Sequence, residues 1–210
     1  MHKRKEIFLL LFWTFVFGSI FGYLHEMILH YLKHGFWESR QGLIYGPFSQ
    51  VYGLGAMFFV LTVARFKNPI KILLIGTFLG GFFEWICSII QEYVFGTISW
   101  DYSKYFLNIN GRTSLFHALC WGIIGLLFVK LAYPLLLKSV TFFDNKYGLV
   151  FTTGLAIFLI IDVILSVCAG IRQDERERGI KATTHVQRIM DDWYPDDWMN
   201  NIYPNRKKKA

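Results

Sequence analysis

The sequence predicts an all-α fold, a polytopic membrane helix bundle of about five transmembrane helices. The chain has 210 residues, of which 54% are hydrophobic, 19% aromatic and only 18% charged, and its mean hydropathy is +0.36. Several apolar runs approach or exceed the roughly 20 residues that a spanning helix needs. The alternating pattern of membrane β-strands is absent, and unpaired backbone cannot face lipid, so these runs are predicted to be helices.

The predicted spans are, in chain order, Ile7–Tyr31, Gln50–Ala64, Ile70–Phe95, Leu115–Leu137 and Tyr147–Cys168. The first follows a basic N-terminus, but its apolar run is too long for a signal peptide and no small-residue cleavage site follows it. We therefore expect it to be retained. The second is short unless Pro47, Phe48 and Ser49 help to begin it.

Residues 1–168 are predicted to form the transmembrane bundle, and residues 169–210 a polar C-terminal tail. The tail carries the mixed-sign run RQDERER and, further on, alternating apolar and acidic residues. Pro195 and Pro204 limit any helix there, because proline lacks the backbone donor that a helix interior requires. The tail can lie along the bilayer interface or against the loops.

Charge and cysteine content exclude several classes of protein. The net charge of +7 comes largely from basic residues that flank apolar spans, which suits anionic lipid headgroups better than nucleic acid. The three cysteines, Cys87, Cys120 and Cys168, lie in apolar runs without paired or metal-like spacing, so neither a disulfide framework nor a zinc site is predicted. Membrane lipids are the expected partners, and no cofactor is predicted.

Spans one and three share a pattern at a constant offset of 58 residues, with Gly18, Gly22 and Glu26 matched by Gly76, Gly80 and Glu84. Glycines four residues apart let another helix approach closely, and the glutamate lies on the same stripe one turn later. The pattern predicts two parallel helix–loop–helix repeats, residues 7–64 and 70–137, followed by a fifth span, 147–168. A pseudo-two-fold axis along the membrane normal would relate the repeats.

Polar chemistry is predicted to gather at one face of the bilayer. Glu26, Glu84 and Asp162 each lie beyond the midpoint of a span, toward the side that carries the loops after spans one and three. A charged carboxylate at mid-bilayer costs about 2.5–3.5 kcal/mol on insertion scales, so it needs a partner, water or a proton. The same side also receives Arg40, Asp101, Asn110, Arg112 and His117.

Two interpretations of this face remain open. In one, Glu26 and Glu84 pair with Arg40 and Arg112 and lock the loops onto the bundle, as in a membrane scaffold or interaction protein. In the other, the same groups line a hydrated cavity that binds a polar or ionic solute. Asp162 can also serve only as a hydrogen-bonding group between helices.

Metal and hydrolase chemistry are further hypotheses. Glu26, His30 and His34 share one helical face and could ligate zinc or nickel, but no second cluster completes the ligand shell, so no metal site is predicted. No nucleophile or nucleotide-binding motif occurs, and Ser114 with His117 and Asp101 leaves a membrane-embedded hydrolase as the third hypothesis. Any ATP-driven transport would require a separate ATPase subunit.

Two loop segments, RQGLIYGPFSQVYGLGA (Arg40–Ala56) and WDYSKYFLNINGRTSLFHALCWG (Trp100–Gly122), resemble a bacterial family of small integral membrane proteins described as ABC-transporter type IV permease components. The resemblance extends over roughly residues 10–165. In the first unit it points to Glu26, Arg40, Gly42, Gly46, Pro47, Tyr52 and Gly53. In the second it points to Glu84, Trp100, Asp101, Tyr102, Asn110, Gly111, Arg112 and Trp121. Ser49 stands where the family often has cysteine, so no thiol-dependent role is expected.

The leading hypothesis is therefore a permease-like or transport-associated subunit, multi-pass in a bacterial cell membrane. A separate ATPase and a homo-oligomer are compatible partners. Loops on the N-terminal side carry more Lys and Arg than the opposite loops, which favours a cytoplasmic N-terminus, although the arginines of the tail point the other way.

Overall fold

The computed structural model describes residues 2–208. The helices are α1 (His2–His34), α2 (Gln50–Thr62), α3 (Pro69–Phe95), α4 (Leu115–Leu127), α5 (Tyr133–Phe143), α6 (Lys146–Glu177), α7 (His185–Trp193) and α8 (Asp196–Ile202), with a π-helical turn at Phe128–Ala132 joining α4 to α5. The short strands are β1 (Thr97–Ile98), β2 (Asn108–Ile109), β3 (Thr113–Ser114) and β4 (Lys207–Lys208). The predicted all-α membrane bundle is confirmed.

Within residues 2–208, four helical stretches are long and apolar enough to cross a membrane: Arg4–His34, Pro69–Phe95, Leu115–Phe143 and Lys146–Glu177. They contain the predicted spans one, three, four and five. The predicted second span is the helix α2, but its 13 residues reach only about 20 Å at 1.5 Å per residue. That length is less than the roughly 30 Å of hydrocarbon in a typical bilayer.

The chain before α2 folds into the bundle, and we call residues 41–49 the re-entrant segment. Its buried side chains are Leu43, Ile44, Phe48 and Ser49. The Ser49 N–H donates to the carbonyl of Ser19 near the middle of α1 (3.1 Å), and the Ile44 N–H donates to Ser166 Oγ of α6 (2.9 Å). Irregular backbone is tolerated at membrane depth only where its polar groups have hydrogen-bond partners. The contacts with Ser19 and Ser166 provide such partners for Ser49 and Ile44. The helix α2 therefore begins about halfway along α1.

Close glycine contacts join α1 to α2 and α3 to α4. A Cβ atom added at Gly53 of α2 would lie 2.7 Å from the carbonyl oxygen of Phe15, and one added at Gly122 of α4 would lie 2.8 Å from that of Leu73. Only glycine permits such close backbone approach. Phe15 and Leu73 differ by the same 58 residues as the glycine–glutamate pattern.

The N-terminal face of the bundle is closed by α1, α5 and α6. The Trp13 ring of α1 stacks on Phe143 with ring centroids 3.7 Å apart, and its indole N–H donates to Thr152 Oγ1 of α6 (3.2 Å). Lys5 forms an ion pair with Asp144. These contacts place the start of α1 and the turn between α5 and α6 at the same face.

The chain after α6 packs on the opposite face, against the loops. Met190, Tyr194 and Met199 are buried together with Ile44 of the re-entrant segment and Ala169 of α6. Strand β4 pairs antiparallel with β1. The tail packs against the loops, which is one of the two placements that the sequence left open.

An ion network holds this tail in place. Arg172 of α6 is buried and forms a bidentate pair with Asp191 of α7 (2.8 and 2.9 Å), and Arg176 bridges Asp191 (2.6 Å) and Asp196. The hydrogen bonds from Arg172, with those from Arg176, lower the pKa of Asp191 below its usual range. The carboxylate is therefore charged throughout the physiological pH range, and α7 is fixed to α6 by charge as well as by packing.

Candidate functional site

We call residues 35–49, between α1 and α2, loop one, and residues 96–114, between α3 and α4, loop two. Glu84 lies at the centre of a buried cluster between α3, α4 and loop two. Its side chain is 6% exposed; Oε1 accepts from the Tyr102 hydroxyl (3.1 Å) and Oε2 from Thr113 Oγ1 (2.8 Å). The Trp121 side chain of α4 is also hydrogen-bonded to it. Burial, together with the Glu84 charge, raises the pKa of Tyr102 well above its ordinary value. The Tyr102 hydroxyl is consequently a permanent donor to the carboxyl group.

Glu26 lies in the corresponding position of α1 and is partly buried. The Tyr52 side chain of α2 is hydrogen-bonded to it. The Tyr52 and Trp121 rings have centroids 5.8 Å apart, so the two glutamates belong to one continuous set of side chains. We call Glu26, Tyr52, Trp121, Glu84 and Tyr102 the acid–aromatic cluster.

Arg40 and Arg112, the arginines of the two loops, form ion pairs with residues other than Glu26 and Glu84. Arg112 donates to Ser88 Oγ (3.2 Å) and forms an ion pair with Glu92. Ser88 lies one turn and Glu92 two turns beyond Glu84 on the same stripe of α3. The Glu84–Arg112 ion pair of the first interpretation does not occur among the described residues. Charge costs less near the membrane surface, so the arginine reaches outward along α3 while neutral donors satisfy the deeper acid.

Arg40 is bonded in a similar way at the end of α1. It contacts His30 and Glu38 (3.3 Å). The direct Glu26–Arg40 ion pair of the first interpretation is absent from the part of the chain that the structure describes, although the charge of Arg40 influences Glu26. His30 lies one turn beyond Glu26, as Ser88 lies one turn beyond Glu84. Both arginines therefore bind the outer end of the stripe that begins with the glutamate.

Loop two is shaped by backbone and side-chain bonds around Gly111. The Trp100 indole donates to the Arg112 carbonyl (2.8 Å), and the Tyr102 N–H donates to the Gly111 carbonyl (2.7 Å). Gly111 has a φ of +71° and Asn110 a φ of +52°, the left-handed region that glycine and asparagine tolerate best. This turn directs Arg112 and Tyr102 toward α3.

Other predicted residues of loop two lie at its edge. Asn110 and Asp101 are exposed, and Asp101 accepts from the N–H (2.9 Å) and hydroxyl (3.1 Å) of Ser103. The ring of His117 stacks on Tyr102 with centroids 3.5 Å apart. Its Nδ1 lies 2.8 Å from Ser114 Oγ, the side chain that caps the N-terminus of α4. The Ser114–His117 contact thus belongs to a helix cap, which gives the hydrolase hypothesis no further support.

Asp162 of α6 holds the re-entrant segment. Its side chain is 1% exposed, and Oδ1 accepts from the Tyr45 N–H (3.1 Å) and the Ser166 hydroxyl (3.3 Å). The segment turns at Gly46, whose φ is +84°, and exposed Pro47 follows. Asp162 lies apart from the acid–aromatic cluster in the contacts that it makes. It binds the backbone of the re-entrant segment and Ser166 of its own helix, and these contacts do not join two helices.

The tail reaches the same segment. The Tyr203 hydroxyl donates to the Gly42 carbonyl (3.2 Å), and the Tyr45 and Tyr194 hydroxyls lie 3.1 Å apart. Burial raises the pKa of Tyr203 to about 12, so this hydroxyl stays protonated. Residues outside the predicted bundle therefore help to shape loop one.

The histidines of α1 do not complete a metal site. His30 and His34 stack with ring centroids 4.5 Å apart, and Glu26 is bonded to Tyr52. Within residues 2–208, no group of three or more His, Cys, Asp or Glu side chains is arranged to hold a metal ion.

Comparison with known proteins identifies the family of this chain. A profile of the family described as "Putative ABC-transporter type IV" matches residues 13–167. The chain belongs to this family. The matched region extends from α1 to α6 and includes both glutamates, both loops and Asp162, whereas α7 and α8 lie beyond it. No curated protein and no solved structure matches the chain.

Family membership and the four long apolar helices make this chain a multi-pass, transport-associated membrane protein. The resemblance carried by the two loop motifs is confirmed. Sequence reasoning missed Ser88 and Glu92 of α3 as partners of Arg112, and Thr113 of β3 as a partner of Glu84. The spacing of Glu84, Ser88 and Glu92, at i, i+4 and i+8, was the available signal, because such residues share one helical face.

Proposed function

We propose that this family member is a permease-like subunit whose solute site is the acid–aromatic cluster. The observation that carries the proposal is that Glu84 is hydrogen-bonded to neutral donors and has no ion pair among the described residues. Glu26 is hydrogen-bonded to Tyr52 and is influenced by the charge of Arg40 without a direct ion pair to it. An acid in a membrane bundle needs a compensating cation or proton, or access to water. A solute that brings positive charge or hydrogen-bond donors would complete the cluster.

We further propose that α1–α2 and α3–α4 are two copies of one unit. The contacts of Gly53 with Phe15 and of Gly122 with Leu73 support this, as do the contacts that a Cβ at Gly22 would make with Tyr52 and one at Gly80 with Trp121. The axis relating the copies would pass between Tyr52 and Trp121. In parallel-repeat transporters the solute binds at the interface between the repeats.

The half-length α2 supports the same proposal. Transporter sites are typically formed where a helix is interrupted near the bilayer midplane, because the ends of half-helices expose backbone groups there. Here α2 begins beside the middle of α1, three residues before Gly53. Since the sequence has no nucleotide-binding motif, energy from ATP would come through a separate ATPase subunit.

The proposal is tested with the isosteric variants Glu84→Gln and Glu26→Gln. Uptake of a panel of labelled organic cations and amines is measured in cells that lack their own copy of the gene and express the wild type or a variant. We expect uptake above the empty-vector level for the wild type and its loss in both variants, with unchanged amounts of protein in the membrane. The matched control is Glu38→Gln, which removes a loop acid outside the cluster and should transport normally.

A scaffold protein is the second candidate function. The three donors to Glu84 come from loop two and α4, so the acid also ties these elements together. In a scaffold, Glu84→Gln would lower the amount of folded protein without changing any flux, and deleting residues 171–210 would release a bound partner. Normal uptake by folded Glu84→Gln protein would contradict the permease proposal.

A further inference from the structure

The tip of loop two exposes a compact set of large apolar side chains outside the bundle. Phe106 is 79% exposed and Leu107 60% exposed, and Tyr105, Ile109 and Phe116 are also exposed. Contiguous exposed apolar surface marks a contact with a protein, a ligand or a membrane. Nothing in the acid–aromatic cluster requires these side chains, since Tyr102 and Thr113 contact Glu84 from the base of the loop.

The backbone of the tip is strained at Leu107 and held by side-chain hydrogen bonds, which argues against an incidental exposure. Leu107 has a φ of +50°, a conformation that is unfavourable for leucine because its Cβ crowds the backbone. The side-chain amide of Asn108 fixes the turn by donating to the carbonyls of Ser103 (3.0 Å) and Tyr105 (2.9 Å), and its Oδ1 accepts from the Gly111 N–H (3.0 Å). Leu107 is thus held outward by its neighbours.

The apolar tip is continuous with the lipid-facing stripe of α4. The Leu115 N–H, at the first residue of α4, donates to the Leu107 carbonyl (3.3 Å), and Tyr105 stacks with Phe116 at 6.1 Å between centroids. From there the exposed side chains follow one face of the helix in steps of four residues: Leu115, Leu119, Ile123, Leu127 and Leu131. The tip therefore lies where a spanning helix enters the bilayer.

We propose that the tip of loop two, Tyr105–Ile109, is an interfacial anchor that inserts into the acyl chains beside α4. Lipid is the occupant that the continuity with α4 favours. Exposed Lys104 beside the tip suits the phosphates of the headgroup layer. The exposed aromatic and aliphatic side chains of the tip would supply the hydrophobic free energy on leaving water. Burial of the Leu107 side chain among acyl chains would then offset its backbone strain. An asparagine or glycine at this position would not provide this hydrophobic burial.

The proposal is tested by the depth of spin labels on the full chain in liposomes. Cys87, Cys120 and Cys168 are replaced by alanine, and single cysteines are introduced at Leu107, at lipid-facing Leu119 and at exposed Lys181 of the tail. Each label is measured for its accessibility to oxygen, which concentrates in the acyl region, and to a water-soluble nickel complex. We expect the label at 107 to have an oxygen-to-nickel ratio several-fold above that at 181 and approaching that at 119.

A ratio at 107 equal to that at 181 would overturn the proposal and leave the tip in water. Protection of the 107 label from both reagents would also overturn it, because a protein would then cover the tip. Spin–spin broadening at 107 would identify that protein as a second copy of this chain. If Leu107→Cys fails to fold, the label at Phe106, whose backbone is unstrained, gives the same comparison. The uptake test of Glu84 is independent of all these outcomes.

Discussion

At the scale of single residues, the acids show how far sequence reasoning reaches. The placement of Glu26, Glu84 and Asp162 within apolar runs indicated that each must have a polar partner. The identity of the partners depended on which loop atoms reach them, and an arginine of the loop was the simplest choice. The structure instead gives Glu84 two hydroxyl donors and an indole, and gives Asp162 a backbone amide.

Asp162 allows a prediction at this scale. Replacing Asp162 with alanine removes the acceptor for the Tyr45 N–H and the Ser166 hydroxyl, and buried donors left without a partner cost about 1–3 kcal/mol each. We expect Asp162→Ala to lower the thermal unfolding temperature of the protein in detergent micelles and to increase proteolysis at residues 41–49.

The matched variant is Asp162→Asn, whose side-chain oxygen can accept both hydrogen bonds. It should unfold close to the wild-type temperature, since no cation pairs with Asp162 in the described chain. An alanine variant as stable as the wild type would show that the contacts of Asp162 with the re-entrant segment do not contribute to stability.

At the scale of elements, the helix pairs were more predictable than the segments that join them. The glycine spacing on α1 and α3 indicated surfaces for close packing, and α2 and α4 occupy those surfaces. The depth at which α2 begins was not predictable, because it depends on residues 41–49 finding partners on α1 and α6. Those partners, Ser19 and Ser166, carry no sequence signal of their own.

The two helix pairs give a prediction that bears on the proposed repeat. Gly53→Ala and Gly122→Ala each place a Cβ under 3.0 Å from a backbone carbonyl of the neighbouring helix, and overpacking of this kind costs about 1–3 kcal/mol. We expect both variants to lower the thermal unfolding temperature in micelles by similar amounts. Similar losses of thermal stability are expected because Gly53 and Gly122 would occupy equivalent positions in two copies of one unit.

Gly154→Ala is the control, because a Cβ there meets no atom within 4 Å. It lies within α6, where alanine is favoured over glycine by up to about 1 kcal/mol, so it should be neutral or stabilising. If Gly53→Ala behaved like Gly154→Ala while Gly122→Ala destabilised the protein, the two helix pairs would not be equivalent.

At the scale of the whole molecule, the structure fixes which segments share a face. The Lys5–Asp144 ion pair joins the N-terminal segment to the α5–α6 turn, whereas α7 and α8 pack on the re-entrant segment at the other face. The N-terminus and the tail are therefore on opposite sides of the bundle. Several arginines of the tail are used in ion pairs with its own acids, including Arg172 and Arg176, and are not simply free loop charges.

This arrangement leads to a prediction of orientation. The N-terminal face carries the basic residues Arg4, Lys5, Arg65, Lys67, Lys71, Lys138 and Lys146, and the excess of Lys and Arg in short loops marks the cytoplasmic side. In intact cells we expect a membrane-impermeant thiol reagent to label Lys181→Cys in the tail and to leave Lys67→Cys unlabelled, in the background without native cysteines. The reverse pattern would place the tail in the cytoplasm.

The sequence by itself determined the class of this protein, four of its spans and the family to which it belongs, because hydrophobic length, helical spacing and two loop motifs are local properties of the chain. Tertiary structure decided that α2 begins inside the bundle, that Arg112 binds Glu92 while Glu84 takes neutral donors, and that the tail holds loop one. Each of these depends on atoms far apart in the chain, such as Tyr203 and Gly42, meeting in one place. Their pairing is decided by the packing of the whole bundle, and no local pattern encodes it.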